Sequence, residues 1–223
     1  LCTDKKKLTT KTVVNLYGEL FLNHYPDQKK PRDYTPLIKL RVDRYNDSIS
    51  KIYLIIAYTS LPTLKEKLQA IPYCEDVYNN PDDTLRCDRE RAFCAYVRGS
   101  LAYYQNDISD AIAWMRKAII LDERYADPLI DLCRIYYARR NYPMAYRYIL
   151  KALDANRLHI WVENSEAFET PVVPRLVAAC AANLGRWEEA IKFADAALEN
   201  FPDDEETLKI KEAILKNMPA NNQ

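Results

Sequence analysis

Small residues recur along this chain at a fixed interval, set among apolar and polar positions that alternate with a helical period. Ala111 and Ala145 stand 34 residues apart, and so do Ala118 and Ala152. Ala111 and Ala118, like Ala145 and Ala152, lie about two helical turns apart, so each of these couples shares one helix face. Tyr136, Tyr137, Tyr142, Tyr146 and Tyr148 fall at helical spacing around them. Further on, residues 205–217 read as a closing helix with Leu208, Ile210, Ala213, Ile214 and Leu215 facing inward. Towards the start, Thr35 reads as an N-cap with Pro36 at the first helical position, and Leu37, Ile38, Leu40, Arg41 and Tyr45 continue that helix. Asp47 or Ser48 caps the next one. The pattern predicts helix pairs joined by short turns.

The interval resembles that of the tetratricopeptide repeat, a helix–turn–helix unit of 34 residues. Such a unit needs small residues where its two helices cross. With Ala111 at the twentieth place of a repeat, Gly99 falls at the eighth, where a small residue is wanted. The first clear repeat then covers residues 92–125 and the next 126–159, with Tyr103 and Tyr137 in matching places. Arg134 is assigned to the small-residue place of the second copy, which predicts looser helix contact there. A third copy, residues 171–204, carries Ala178, Gly185, Ala190, Ala197 and Pro202 in frame. Ala190 lies 45 residues after Ala145, so about 11 residues, 158–168, are inserted before it; Trp161 and Phe168 lie within them. Residues 205–217 cap the array, as solenoids require, and 218–223 form a tail. Residues 48–83 read as a degenerate fourth copy: with Pro81 in the place of Pro202, Gln69 and Asp76 occupy the two alanine sites, and Pro72 interrupts the second helix.

Residues 1–34 do not fit the frame. Leu8, Val13, Leu16, Tyr17, Leu20, Phe21 and His24 can form a helical stripe, yet residues 9–14 are β-prone and Gly18 stands mid-segment. The preferred expectation is two short strands, a β-prone remnant at the end of another domain. The chain opens on Leu1 rather than Met, which fits a piece of something longer. The fold class expected is therefore all-α, a solenoid of residues 35–217 behind that remnant.

Composition narrows the functions. Lys+Arg and Asp+Glu each number 32, so the basic excess of a nucleic-acid binder is absent. Apolar runs fall far short of the ~20 residues that span a bilayer. The six cysteines, at 2, 74, 87, 94, 133 and 180, show no C-x-x-C pair and read as small core residues in a reducing, cytoplasmic setting. No cofactor, metal or catalytic residue is expected within the repeats. Seventeen tyrosines favour aromatic, hydrogen-bonding walls for a groove, with Tyr96, Tyr103, Asp131, Arg134 and Tyr137 as its candidate residues. Chaperone-binding repeats build a carboxylate clamp from Lys and Asn on their first helices. Here Tyr96, Ser100, Pro128, Asp131 and Leu132 hold such places, so capture of an acidic C-terminal tail is not expected. A protein or peptide segment is the expected partner, with a second copy of the chain as another.

The order of several segments resembles certain bacterial family 2 glycosyltransferases. The segments are His24-Tyr25-Pro26-Asp27, Lys29-Lys30-Pro31-Arg32-Asp33-Tyr34, Pro36-Leu37-Ile38, Asp88-Arg89-Glu90-Arg91-Ala92, Tyr125-Ala126-Asp127-Pro128-Leu129-Ile130-Asp131-Leu132 and Phe168-Glu169-Thr170-Pro171. In that family a nucleotide-sugar-binding domain ends in a His-containing strand, and a helix and tetratricopeptide-like repeats follow. The resemblance implies a non-catalytic C-terminal region of a sugar-transferring parent. It departs at Pro171-Val172-Val173-Pro174, which lacks the family's Trp-Gly, and at Asn23. The resemblance makes His24 the only candidate here to approach a metal or diphosphate; on its own residues it is a polar group at a strand end. The frame makes one expectation directly testable: Ala145→Leu lowers stability by ~1–3 kcal/mol through overpacking, read from denaturant unfolding, and unchanged stability overturns the frame.

Overall fold

The computed structural model describes residues 35–85, 88–155 and 170–219. The expectations for residues 1–34 with His24, the insertion at 158–168, Cys2, Cys87 and the end of the tail lie outside them. The described residues form helices α1 (Thr35–Tyr45), α2 (Ser48–Thr59), α3 (Leu64–Lys67), α4 (Ile71–Asn79), α5 (Asp88–Tyr104), α6 (Ile108–Leu121), α7 (Ala126–Ala138), α8 (Tyr142–Asp154), α9 (Val172–Asn183), α10 (Trp187–Asn200) and α11 (Glu205–Asn217). No strand occurs among the described residues, so the chain there is an all-α solenoid.

The three clear repeats are α5–α6, α7–α8 and α9–α10. Ala111, Ala118, Ala145, Ala152, Ala190 and Ala197 are all buried. The turn inside each repeat is the same. Asn106 (φ 63°), Arg140 (φ 59°) and Gly185 (φ 73°) occupy one repeat place in the left-handed region. The next amide reaches back five residues: Asp107 N–H donates to Ala102 O (3.0 Å), Asn141 N–H to Tyr136 O (2.9 Å) and Arg186 N–H to Ala181 O (2.9 Å). These are the bonds of a glycine-type helix stop. Asp107 and Asn141 then cap the second helices through the Asp110 and Met144 amides.

The structure corrects the frame in three places. The small-residue place of the second repeat belongs to Cys133, which is 34 residues after Gly99 and fully buried; Arg134 is exposed. A thiol is compact enough for the helix crossing, whereas a guanidinium there would be buried without a partner. Cys133 Sγ lies 3.9 Å from Cys180 Sγ on the first helix of the next repeat. In the degenerate copy, Ala70 and Val77 are fully buried, not Gln69 and Asp76. Asp76 instead pairs with the Lys51 ammonium at 2.7 Å. Pro72 sits in the first turn of α4, after a short 3₁₀ segment at Leu68–Ala70, so the second helix is broken there. In α11, Ile214 and Thr207 face the core, whereas Leu208 and Leu215 are 41% and 48% exposed and Ala213, also expected inside, is exposed. Among the described residues α11 packs chiefly against α9 and α10, so it buries a narrow stripe.

Polar contacts join one repeat to the next. Asp204 caps α11, accepting from the Thr207 amide at 2.9 Å and from its hydroxyl, and takes Arg175 Nη1 from α9 at 3.1 Å. Burial opposes the charge on Asp204, but these donors hold its carboxyl below the usual range. Asp82, in the matching Pro-Asp-Asp segment, does not cap the following helix. It accepts from the Ser48 amide at 2.7 Å, securing the start of α2 beside the N-cap Asp47. Between α4 and α6, Arg98 bonds Glu75 (2.7 Å) and Asp110 (2.8 Å), while the Lys117 ammonium lies 3.5 Å over the Trp114 ring.

Two glycines separate space from backbone strain. A Cβ on Gly99 meets Met115 Cγ at 3.0 Å and the α6 backbone at 3.1 Å, whereas at Gly185 nothing lies within 4 Å. Gly99→Ala is expected to cost ~1–3 kcal/mol by forcing the helices apart, and Gly185→Ala ~1–2 kcal/mol from its left-handed backbone alone. A Met115→Ala background removes the Cγ contact but not the backbone ones, so partial relief of the first defect, and none of the second, in denaturant unfolding separates the two causes.

Candidate functional site

Four of the five residues anticipated for a groove come together in one hollow. Tyr96, Ser100, Tyr103 and Tyr104 of α5, Met115 of α6, and Asp131, Arg134 and Ile135 of α7 surround about 190 Å³. The α5 residues sit at i, i+4, i+7 and i+8, so one helix face presents them all. Met115 and Ile135, 1% and 4% exposed, form an apolar floor. The Tyr103 and Tyr104 rings stand at the rim edge to face, 6.3 Å apart and largely exposed.

The polar walls are paired internally. Tyr96 O–H donates to Asp131 Oδ2 at 3.0 Å, and Arg134 Nη1 lies 3.1 Å from Asp131 Oδ1. Burial, and then the Asp131 charge, push the Tyr96 phenol well above its ordinary value, so it remains a proton donor. Ser100 is the exception. Its Oγ is buried and has no hydrogen-bond partner among the described residues. A serine within a helix commonly donates back to the carbonyl four residues earlier; this one does not.

Tyr137 lies apart from the other four. It lines a second hollow of about 460 Å³ with Ala179, Ala182 and Asn183 of α9, Trp187 of α10, and Ile210, Ala213, Ile214 and Asn217 of α11. Asn183 Nδ2 donates to the Tyr137 hydroxyl at 3.1 Å and to Ala179 O at 2.8 Å. The Tyr137 ring packs edge-on against Tyr142 at 5.3 Å. Tyr103 and Tyr137 are one repeat apart, so the array places an equivalent tyrosine in each hollow. Both hollows open between first helices of neighbouring repeats.

Tyr104 and Asn183 share a repeat place and could have been found from the frame. Met115 and Trp187 reach the hollows from second helices, and no local spacing marks them. Other chemistry is thin. Among the described residues no three His, Cys, Asp or Glu gather to hold a metal ion. Burial raises the Cys74 and Cys94 thiols, and the Cys180 contact followed by burial raises Cys133. Such thiols stay protonated and unreactive. Among the described residues no helix is long and apolar enough to cross a membrane.

No protein-family model matches the chain, and no curated protein sequence matches it. Solved structures do share its fold. YrrB, described as a TPR protein with an unusual peptide-binding site, superposes with a TM-score of 0.58 and 15% identity, over 84% of this chain and 95% of that one. The C-terminal part of a TPR repeat-containing protein from Cytophaga hutchinsonii gives 0.58 and 16%, over 81% and 63% of the two chains. MamA from AMB-1 gives 0.56 and 17%, over 81% and 84%. At these identities the likeness concerns fold alone, and it agrees with the repeat frame: the described chain is a tetratricopeptide-type helical solenoid.

The orphan hydroxyl makes Ser100→Ala a stabilising change, by about 1 kcal/mol, because an unsatisfied buried group and a poorer helix former are both removed. Tyr96→Phe does the reverse, losing ~1 kcal/mol by withdrawing the donor from Asp131. Opposite shifts in the denaturant midpoint are expected; shifts of the same sign refute this account of the hollow's wall.

Proposed function

We propose that this region is a non-catalytic protein-binding scaffold that takes an extended protein segment along the face formed by its first helices. The observation that carries this is the pair of hollows on that face, each with an apolar floor and a tyrosine from the same repeat place. Repeat arrays use such extended surfaces to hold partners, and YrrB, which shares the fold, is described as having a peptide-binding site. The balance of 32 basic and 32 acidic residues gives nucleic acid no electrostatic purchase. Thiols used as packing residues support a reducing, cytoplasmic setting.

A second reading sets this scaffold at the C-terminal end of a glycosyltransferase, positioning an acceptor or partner beside a catalytic domain. The ordered resemblance of segments between His24 and Pro171 favours it. Intact mass in the source tests it: a species well above 26.0 kDa supports a larger parent, and one at 26.0 kDa an independent scaffold.

The binding reading is tested with peptides selected from a displayed random library on the purified chain and measured by fluorescence anisotropy. Tyr137→Ala with Asn183→Ala is expected to weaken the selected peptides at least about tenfold. Ile120→Ala, on a second helix where Ile120 is 82% exposed, leaves affinity unchanged. An equal loss at Ile120, or no saturable binder at all, overturns the assignment of the face.

A further inference from the structure

We infer that the hollow between α5 and α7 is an anchor pocket for one uncharged apolar side chain of an extended peptide, with the Ser100 hydroxyl donating to a carbonyl of that peptide's backbone. The pocket belongs to the protein-binding face proposed above and depends on that face binding protein segments.

Size limits the occupant first. Pockets for drug-sized ligands run from roughly 300 Å³ upward; this hollow, at about 190 Å³, lies below them and suits a single side chain. The second hollow, at about 460 Å³, has no such limit. Charge limits it next. The one carboxylate, Asp131, already has Tyr96 and Arg134 as partners. A cationic or anionic side chain would either break that arrangement or be desolvated without a counter-charge. The floor favours an aliphatic or aromatic group: Met115 and Ile135 offer carbon and sulfur, and methionine adapts its shape to what packs against it.

The orphan hydroxyl then supplies direction. Ser100 Oγ lies in the wall, buried and without a partner among the described residues, although its own helix offers a carbonyl four residues back. Buried polar groups are almost always paired, so an unpaired one calls for a reason. An extended peptide with a side chain in the hollow brings a backbone carbonyl to the wall, and that carbonyl can accept the proton. At the rim, the exposed Tyr103 and Tyr104 rings can pack beside the flanking residues without committing to their sequence.

Methyl-labelled methionine NMR tests the pocket, because Met115 forms its floor; a Met115→Leu variant assigns the resonance. The probes are N-acetyl-leucinamide as the neutral anchor, with N-acetyl-lysinamide and N-acetyl-glutamate amide as charged controls. The leucine probe is expected to move the Met115 methyl signal saturably, and the charged probes to bind at least about tenfold more weakly. Ser100→Ala is expected to weaken the leucine probe about fivefold while leaving the chain folded. Ser100→Leu fills the space and abolishes the response. No movement of Met115, equal response to the charged probes, or unchanged binding by both Ser100 variants overturns the inference. Library-selected peptides that bind with Trp187 and Tyr137 perturbed but Met115 still would overturn the pocket and leave the wider face standing; failure at every one of these reporters would remove both.

Discussion

The close approach of the two helices within each repeat is the constraint on which this structure depends. At Gly99 the α6 backbone comes so near that even a methyl group would meet it at 3.1 Å. At Ala111, Ala145 and Ala190 the methyl group is fully buried. Where backbones come this close, the larger side chains flanking the contact must point away from it, either into the seam with the next repeat or into solvent. The identity of the small residue is free within limits: glycine, cysteine and alanine fill the eighth place in the three repeats, at Gly99, Cys133 and Ala178. Volume, not chemistry, is what the crossing selects.

A tight pair needs a tight turn, and here the backbone is more uniform than the residues. One left-handed position is met by asparagine, arginine and glycine in turn, with the same pair of back-reaching hydrogen bonds each time. Arg140 sits in a conformation that costs an L-residue ~1–2 kcal/mol, so the packed pair enforces the turn more than the turn residue does. Between repeats the helices are held partly by apolar packing and partly by single carboxylates shared across the junction, as with Asp204 and Arg175.

Much of this was legible because a period survives substitution. The alanine spacing, the left-handed turn at Gly185 and the closing helix all follow from positions in the frame. What failed did so for local reasons. Counting back from Pro81 misplaced the degenerate copy by one residue, because Pro81 follows the buried Val77 by four residues whereas Pro202 follows the buried Ala197 by five. Arg134 was assigned to the helix crossing although Cys133 stands there. Leu208 and Leu215 were counted as core because a periodic stripe does not reveal that, among the described residues, α11 packs chiefly on the α9 and α10 side. The hollow was half visible: Tyr96, Tyr103, Asp131 and Arg134 lie on first helices in frame, while part of its floor comes from Met115, across the turn. Tyr137 was grouped with them because equivalent places in a repeat look alike in sequence, yet one repeat's length carries it to the next hollow.

Repetition therefore explains the site as well as the core. Crossing residues fix each first helix against its own second helix, and this leaves the opposite flank of the first helix to meet the corresponding flank of the next repeat. Where large residues meet across the junction, as Tyr96 of α5 and Tyr125 at the start of α7 do with ring centroids 5.3 Å apart, the seam closes. Where one flank carries Ser100 and the other Asp131 and Ile135, the seam stays open and a hollow remains. The residue most responsible for that opening is also the one whose hydroxyl has no partner, so the same position leaves both the space and the unmet hydrogen bond. A solenoid optimised for stability alone would place a larger apolar residue there. Serine at that place gives up packing in one seam out of several, which a repeat array tolerates because each seam contributes its own share of the stability.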